Sequence, residues 1–266
     1  MNTAFKEKLD CIYEQYNQKK YIDPDPLLFL YNYPEKKDRE VAGFIAASFA
    51  YGRVEMIMKT VSLILDTLGP VPGAYLKASS KRQLKDEFKG FRYRFAAEND
   101  LIDLLWGIRE VLIVYGSLEN CFIEGFDPDD ETIVSGLQYL SDKIRGRNSL
   151  AHLLADPGKT SACKRSHLFL RWMVRNDAVD PGGWDWVSPS RLIVPLDRHM
   201  YQAGLIFGFT KRKSADFKTA LEITRGFRKY HASDPVKYDF CLTRFGIRRE
   251  MSMQALQEMT CEYKEL

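Results

Sequence analysis

Residues 156–201 read DPGKTSACKRSHLFLRWMVRNDAVDPGGWDWVSPSRLIVPLDRHMY, and the rest of the chain takes its meaning from them. Asp156-Pro157-Gly158 predicts a tight turn, after which Lys159-Thr160-Ser161 supplies a basic contact and a helix cap. The helix that follows carries Lys164. Leu168, Leu170, Trp172 and Met173 form its buried side, and Lys159, Lys164, Arg165, Arg171 and Arg175 fall on neighbouring turns as a basic face. A loop rich in Pro, Gly and Trp leads to Pro195-Leu196-Asp197-Arg198-His199, where Asp197 begins a second helix. Helix starts expose backbone N–H groups that suit a phosphate oxygen.

Outward from this stretch the sequence predicts helix after helix. Towards the N-terminus come Phe5 to Lys19, then Arg39 to Ala50 capped by Asp38 and apolar almost all round, then Val54 to Leu68. A helix from Leu101 to Tyr115 follows behind Asp100, a short one begins at Ser117, and Thr132 to Ile144 is amphipathic. Towards the C-terminus, Ser214-Ala215-Asp216 starts a helix to Tyr230, and Asp234-Pro235 starts another through Phe245 with Asp234 as its cap. Asp234 and Tyr238 then share a helix face. The region from Ala74 to Phe95 is basic but interrupted by acids, which reads as a solvated face. Trp172, Trp184 and Trp186 read as core. No run alternates with a period of two between hairpin turns, so the fold class is all-α. The whole of residues 1–266 reads as a single helical unit with its chemistry at 156–201.

Composition narrows the partners. A 45% hydrophobic and 28% charged chain is an ordinary globular sequence, and its apolar stretches fall short of the about 20 residues that a membrane span needs. Five scattered cysteines without a Cys-x-x-Cys pair suggest neither a disulfide framework nor a metal or iron–sulfur cluster, and a reducing cytoplasm is the expected compartment. A net charge of +3 permits nucleic-acid binding without arguing for it. The four histidines at 152, 167, 199 and 231 form no metal-hydrolase motif.

Lys164 and Asp197 are complementary groups. A lysine nucleophile must be deprotonated, and a helix start next to Arg165 disfavours the charged amine. An aspartate at the next helix start would stabilise positive charge developing on a substrate. Each also has an ordinary role, the lysine as a solvated or phosphate-contacting cation and the aspartate as a cap.

Pro195-Leu196-Asp197-Arg198-His199 resembles the Pro-Val-Asp-x-His segment of the helix-hairpin-helix DNA glycosylases. The interval from Lys164 to Asp197, 33 positions, is similar to that of the archaeal 8-oxoguanine glycosylase branch. Lys164-Arg165, Leu170 to Arg175, Pro195 to His199 and Asp234 to Phe240 further resemble the markers of an uncharacterised bacterial family related to that branch. The resemblance implies two helical lobes around a central cleft and base-excision repair. The implied enzyme is an N-glycosylase with AP-lyase activity on an 8-oxoguanine-like purine, in which Lys164 forms a Schiff base and Asp197 assists. Lys159 competes with Lys164 for the nucleophile's role, and spacing favours Lys164. Gly158, Lys159, Thr160, Arg165 and His199 would touch DNA, His199 either contacting a phosphate or packing. Tyr51, Arg53, Asp234 and Tyr238 would hold the base. No cofactor or metal is implied; the expected partner is damaged double-stranded DNA, bound by a monomer in the nucleoid. Asp-Pro-Gly stands where that superfamily has Gly-x-Gly, and Ser48 to Arg53 where it has a Ser-Gln-Gln-like segment. A non-catalytic helix-hairpin-helix nucleic-acid binder is the alternative, and a helical enzyme acting on another substrate is a third.

Overall fold

A computed structural model describes residues 2–146, 150, 152–248 and 250–261. Its helices are α1 (Thr3–Tyr16), α2 (Lys36–Ser48), α3 (Val54–Leu68), α4 (Pro72–Ala78) and α5 (Lys81–Glu87). A hairpin of two-residue strands, β1 (Arg92–Tyr93) and β2 (Ala96–Ala97), precedes α6 (Glu98–Tyr115), α7 (Leu118–Glu124) and α8 (Val134–Arg145). Then come α9 (Lys164–Val174), α10 (Arg198–Ile206), α11 (Phe217–Arg228), α12 (Asp239–Ile247) and α13 (Met253–Cys261). The fold is all-α apart from that hairpin, whose strands are too short to show alternation. No helix among the described residues is long and apolar enough to cross a membrane.

Helix α2 is the central beam. Every residue from Glu40 to Ser48 is buried, against α9 on one side and the 3-10 segment Pro26–Asn32 on another. Phe44 meets Phe169 of α9 edge-on at 5.1 Å, and Phe169 meets Trp184 at 5.2 Å. Truncating one such buried ring costs about 3–5 kcal/mol. Glu40 is buried here as well, accepting the Leu118 and Glu119 N–H groups at the start of α7 and the Trp184 indole N–H. Burial pushes its carboxyl up to about 7, against the pull of those three donors. Around the beam, α6, α7 and α8 pack closely: a Cβ on Gly107 would lie 1.9 Å from the Ile144 carbonyl oxygen, so only glycine lets α6 approach α8. The other group of helices joins the two ends of the chain, with α1 packed on α12 and α13 and α10 on α11, α12 and α13.

Several boundaries differ from the sequence reading. Helix α2 begins at Lys36, a turn earlier than expected, and Asp38 accepts the Gly73 N–H at 3.0 Å, tying α2 to α4 instead of capping α2. Asp100 lies inside α6 and accepts the Ala97 N–H at 2.7 Å. The helix expected from Asp234 starts at Asp239 instead: the Asp234 carboxylate takes the Val236 N–H and the chain winds through tight turns to Asp239. Asp234 and Tyr238 therefore share no helix face. Trp186 is 80% exposed, whereas Trp172 and Trp184 are core.

His167, on α9, is buried with neither ring nitrogen bonded. Burial alone pushes its imidazole down to about 4. Its folded value lies below the unfolded value near 6.5, so stability present above pH 6.5 is lost as pH falls through 6.5 toward 4. His167→Leu is expected to fold and to gain roughly 2–3 kcal/mol over the wild type at pH 4.5, and less at pH 7. Thermal melts at the two pH values check this; equal shifts at both would contradict it.

Candidate functional site

Three helices begin at one cleft. Lys164 is the first residue of α9, Asp197 caps α10, and Asp239 is the first residue of α12; all three line a cleft of about 580 Å³. That volume is in the range of small-molecule sites. Asp25, Tyr51, Arg171, Arg198, His199, Thr243 and Arg244 add charged and polar groups to the wall, while Ile57, Leu168 and Leu196 contribute apolar surface. The converging helix starts present their partial positive charge here, together with the cations.

Each key side chain is placed by local structure. Cys163, immediately before α9, has a left-handed backbone (φ 45°) and a buried side chain, a conformation costly for a non-glycine residue. Its N–H bonds to Ser161 Oγ at 3.2 Å, and this turn sets where α9 starts and so where Lys164 emerges. Lys164 is half-buried and, among the described residues, makes no ion pair. Asp197 Oδ1 accepts the His199 and Met200 N–H groups, both at 2.8 Å, as an N-cap. The His199 imidazole is pushed down by burial and by the cations Arg198, Arg244 and Lys164, while Asp197 opposes the shift.

Behind the cleft lies an ion-pair network. Arg171 reaches Asp239 Oδ2 at 2.5 Å and Asp180 Oδ1 at 3.1 Å. Arg175 pairs with Asp180, with Asp177 at 2.7 Å and with Asp234 at 2.9 Å. Burial, aided by the nearby Asp197 charge and opposed by Arg171, holds the Asp239 carboxyl up at about 6.

The expected site residues part company here. The cleft brings together Lys164, Asp197, His199 and Tyr51. It does not include Arg53, which is exposed nearby, nor Asp234 and Tyr238. Asp234 is engaged by Arg175, and the Tyr238 hydroxyl donates to Asp10 at 2.8 Å. Arg171 and Arg175 are not on an outward basic face: each is 3% exposed and ion-paired inside. Arg165 donates to the Ser48 and His152 carbonyls at 2.6 and 2.7 Å and lies over the Tyr51 ring, which fixes α9 to the end of α2. Gly158, Lys159 and Thr160 lie in the turn ahead of α9 and away from the cleft. Lys159 is 76% exposed beside Asp156, and the Thr160 carbonyl accepts the Phe217 N–H. The turn does not open directly into α9, which begins only at Lys164.

Tyr51 is braced from the hairpin side, where Tyr93 donates its hydroxyl to the Tyr51 carbonyl. Next to it Gly52 has φ 107°, and a Cβ there would lie 3.0 Å from both Arg94 Nη1 and the Tyr93 hydroxyl, so this mouth position needs glycine twice over. Residues that sequence reasoning did not single out are Asp25, Asp239 and Arg244. Asp239 lies in the Asp234 to Phe240 stretch that resembles a family marker, and that polar residue between Tyr238 and Phe240 was the available signal. Among the described residues no group of three or more His, Cys, Asp or Glu side chains is arranged to hold a metal ion.

A family model described as a protein of unknown function (DUF2400) matches residues 25–248, a span that contains every charged group of the cleft. No curated protein and no solved structure matches significantly.

Two substitutions separate the scaffold from the cleft. Asp180→Ala leaves two buried guanidinium groups short of a carboxylate and is expected to cost about 3–5 kcal/mol. Asp197→Asn keeps a good cap and is expected to change stability by less than about 0.5 kcal/mol. Chemical denaturation of both variants reads this directly; a large loss in Asp197→Asn would make that carboxylate a structural group.

Proposed function

We propose that this chain, which belongs to the DUF2400 family, is a DNA N-glycosylase with an associated lyase step, acting on an oxidised purine of the 8-oxoguanine type. The observation that carries the reading is that Lys164 and Asp197, from two separate helix starts, line one cleft of a size to hold an extruded base. Lys159, exposed in a turn outside the cleft, is the weaker candidate for nucleophile.

In this reading the Lys164 amine attacks C1′ of the damaged nucleotide. The C1′–N bond breaks, its electron pair leaves with the base, and the base takes up a proton as the attacking nitrogen loses one. Positive charge grows on the sugar during this step, and the Asp197 carboxylate stabilises it. Opening of the sugar ring gives a Schiff base. Loss of a proton from C2′ then expels the 3′ phosphate by β-elimination, with no redox partner needed. Asp197 is suited to this because its cap bonds use only Oδ1. A non-catalytic nucleic-acid binder is the second reading, and the inward engagement of Arg165, Arg171 and Arg175 removes three cations on which it would rely.

Borohydride added to the protein with an 8-oxoguanine duplex is expected to trap a covalent adduct. That adduct disappears in Lys164→Ala, persists in Lys159→Ala, and forms on the order of 100-fold more slowly in Asp197→Asn. If no damaged base yields an adduct, the glycosylase reading is lost, and salt-sensitive DNA binding without one supports the binder.

A further inference from the structure

Most buried polar atoms in folded proteins have partners, so an unpaired one in a cleft wall points to a ligand. Two such atoms stand on α12. Asp239 Oδ1 and Arg244 Nε have no protein partner, both side chains line the cleft, and they are only 3% and 4% exposed. His199 Nδ1 is also unpaired, but it abuts Gly246, where a Cβ would come within 1.8 Å of it.

Neither group on α12 can turn away to satisfy itself. Asp239 is fixed through Oδ2 by Arg171, which is in turn fixed by Asp180. Arg244 is fixed through Nη2 by Asp25 at 3.0 Å and through Nη1 by the Tyr21 carbonyl at 3.3 Å. Its guanidinium also lies 4.3 Å from the centre of the Phe240 ring. The wall therefore offers one rigid acceptor and one rigid donor, and each is costly to leave unmatched.

Building on the glycosylase reading, we propose that Asp239 and Arg244 together read the edge of the bound base and select a lactam, a carbonyl next to a ring N–H. The carbonyl oxygen takes the Arg244 Nε–H, and the ring N–H donates to Asp239 Oδ1. Arginine cannot accept a hydrogen bond, so an amino group facing Arg244 meets a donor and leaves both unpaired. Adenine presents that reversed edge, an amino group beside an acceptor nitrogen; hypoxanthine, guanine and 8-oxoguanine present the lactam. The cleft thus sorts bases by the pattern of one edge, and a site of this kind rejects a mismatched pattern more strongly than a shape-fitting pocket rejects a methyl group.

The test uses the full chain and two nucleosides that differ only at this edge, 2′-deoxyinosine and 2′-deoxyadenosine, titrated at pH 8, where the Asp239 carboxyl is ionised. Deoxyinosine is expected to bind at least about 10-fold more tightly. Arg244→Met and Asp239→Asn should each erase the preference, and thermal melts show whether these variants are folded. The wild-type comparison stands even if they are not. Equal affinity for the two nucleosides, or binding of neither, overturns the proposal. Lys164→Ala should lose trapping and keep the preference; a wild type that shows the preference but yields no borohydride-trapped adduct refutes the chemistry alone, and trapping without the preference refutes the edge reader alone.

Discussion

Two guanidinium groups buried beside one another govern the arrangement of the cleft. Arg171 and Arg175 are taken almost wholly out of water, and such a transfer is tolerable only with well-placed counter-charges. Asp180, fully buried, bridges them; Asp239, Asp234 and Asp177 complete the set. Those carboxylates come from the loop after α9 and from the segment that leads into α12. Tyr13, donating to Asp177, brings in α1. The two ends of the chain are thereby locked to α9 by directional bonds, where apolar packing alone would leave freedom to slide. The position of Asp239 against the cleft follows from that lock.

How much of this could be read in the sequence depends on the range of the interaction. Helix α3 was legible in full, from Val54 to Leu68, because its apolar spacing and the Gly69-Pro70 stop are local signals. The starts of α7 at Ser117 and α10 at Asp197 were legible for the same reason, since a cap bonds to residues two or three positions away. Arg171 and Arg175 were misread because a basic side chain on a helix looks solvated until its partner is known, and Asp239 lies 68 positions from Arg171. The Asp234–Tyr238 pairing failed because Asp234 closes a turn on Val236 and leaves the helix to begin at Asp239. The hairpin was invisible because two residues per strand cannot show a period.

The candidate site was legible in part. Lys164 and Asp197 announced themselves by type and position, and their meeting in one cleft required the tertiary structure. The α12 part of the wall was hidden because Arg244 is held in place by Asp25, a residue from the far end of the chain, in a Pro-rich segment that reads as a simple turn. The electrostatic character is likewise a property of assembly. Helices α9, α10 and α12 each contribute an N-terminal end, and no single segment of sequence contains that convergence.

The capping bonds of Asp197 carry an evolutionary consequence. An asparagine would hold the start of α10 nearly as well, and Lys164 contributes no ion pair to the fold among the described residues. Both groups can therefore drift to inert residues without a folding defect to expose the change. Asp239 has less freedom, since its loss takes from buried Arg171 one of its two carboxylate partners and leaves Asp180 alone to balance it. On the proposed glycosylase reading, the α12 wall of the cleft would outlast the lysine within such a lineage, and members that keep α12 unaltered while varying at position 164 would be binders descended from catalysts.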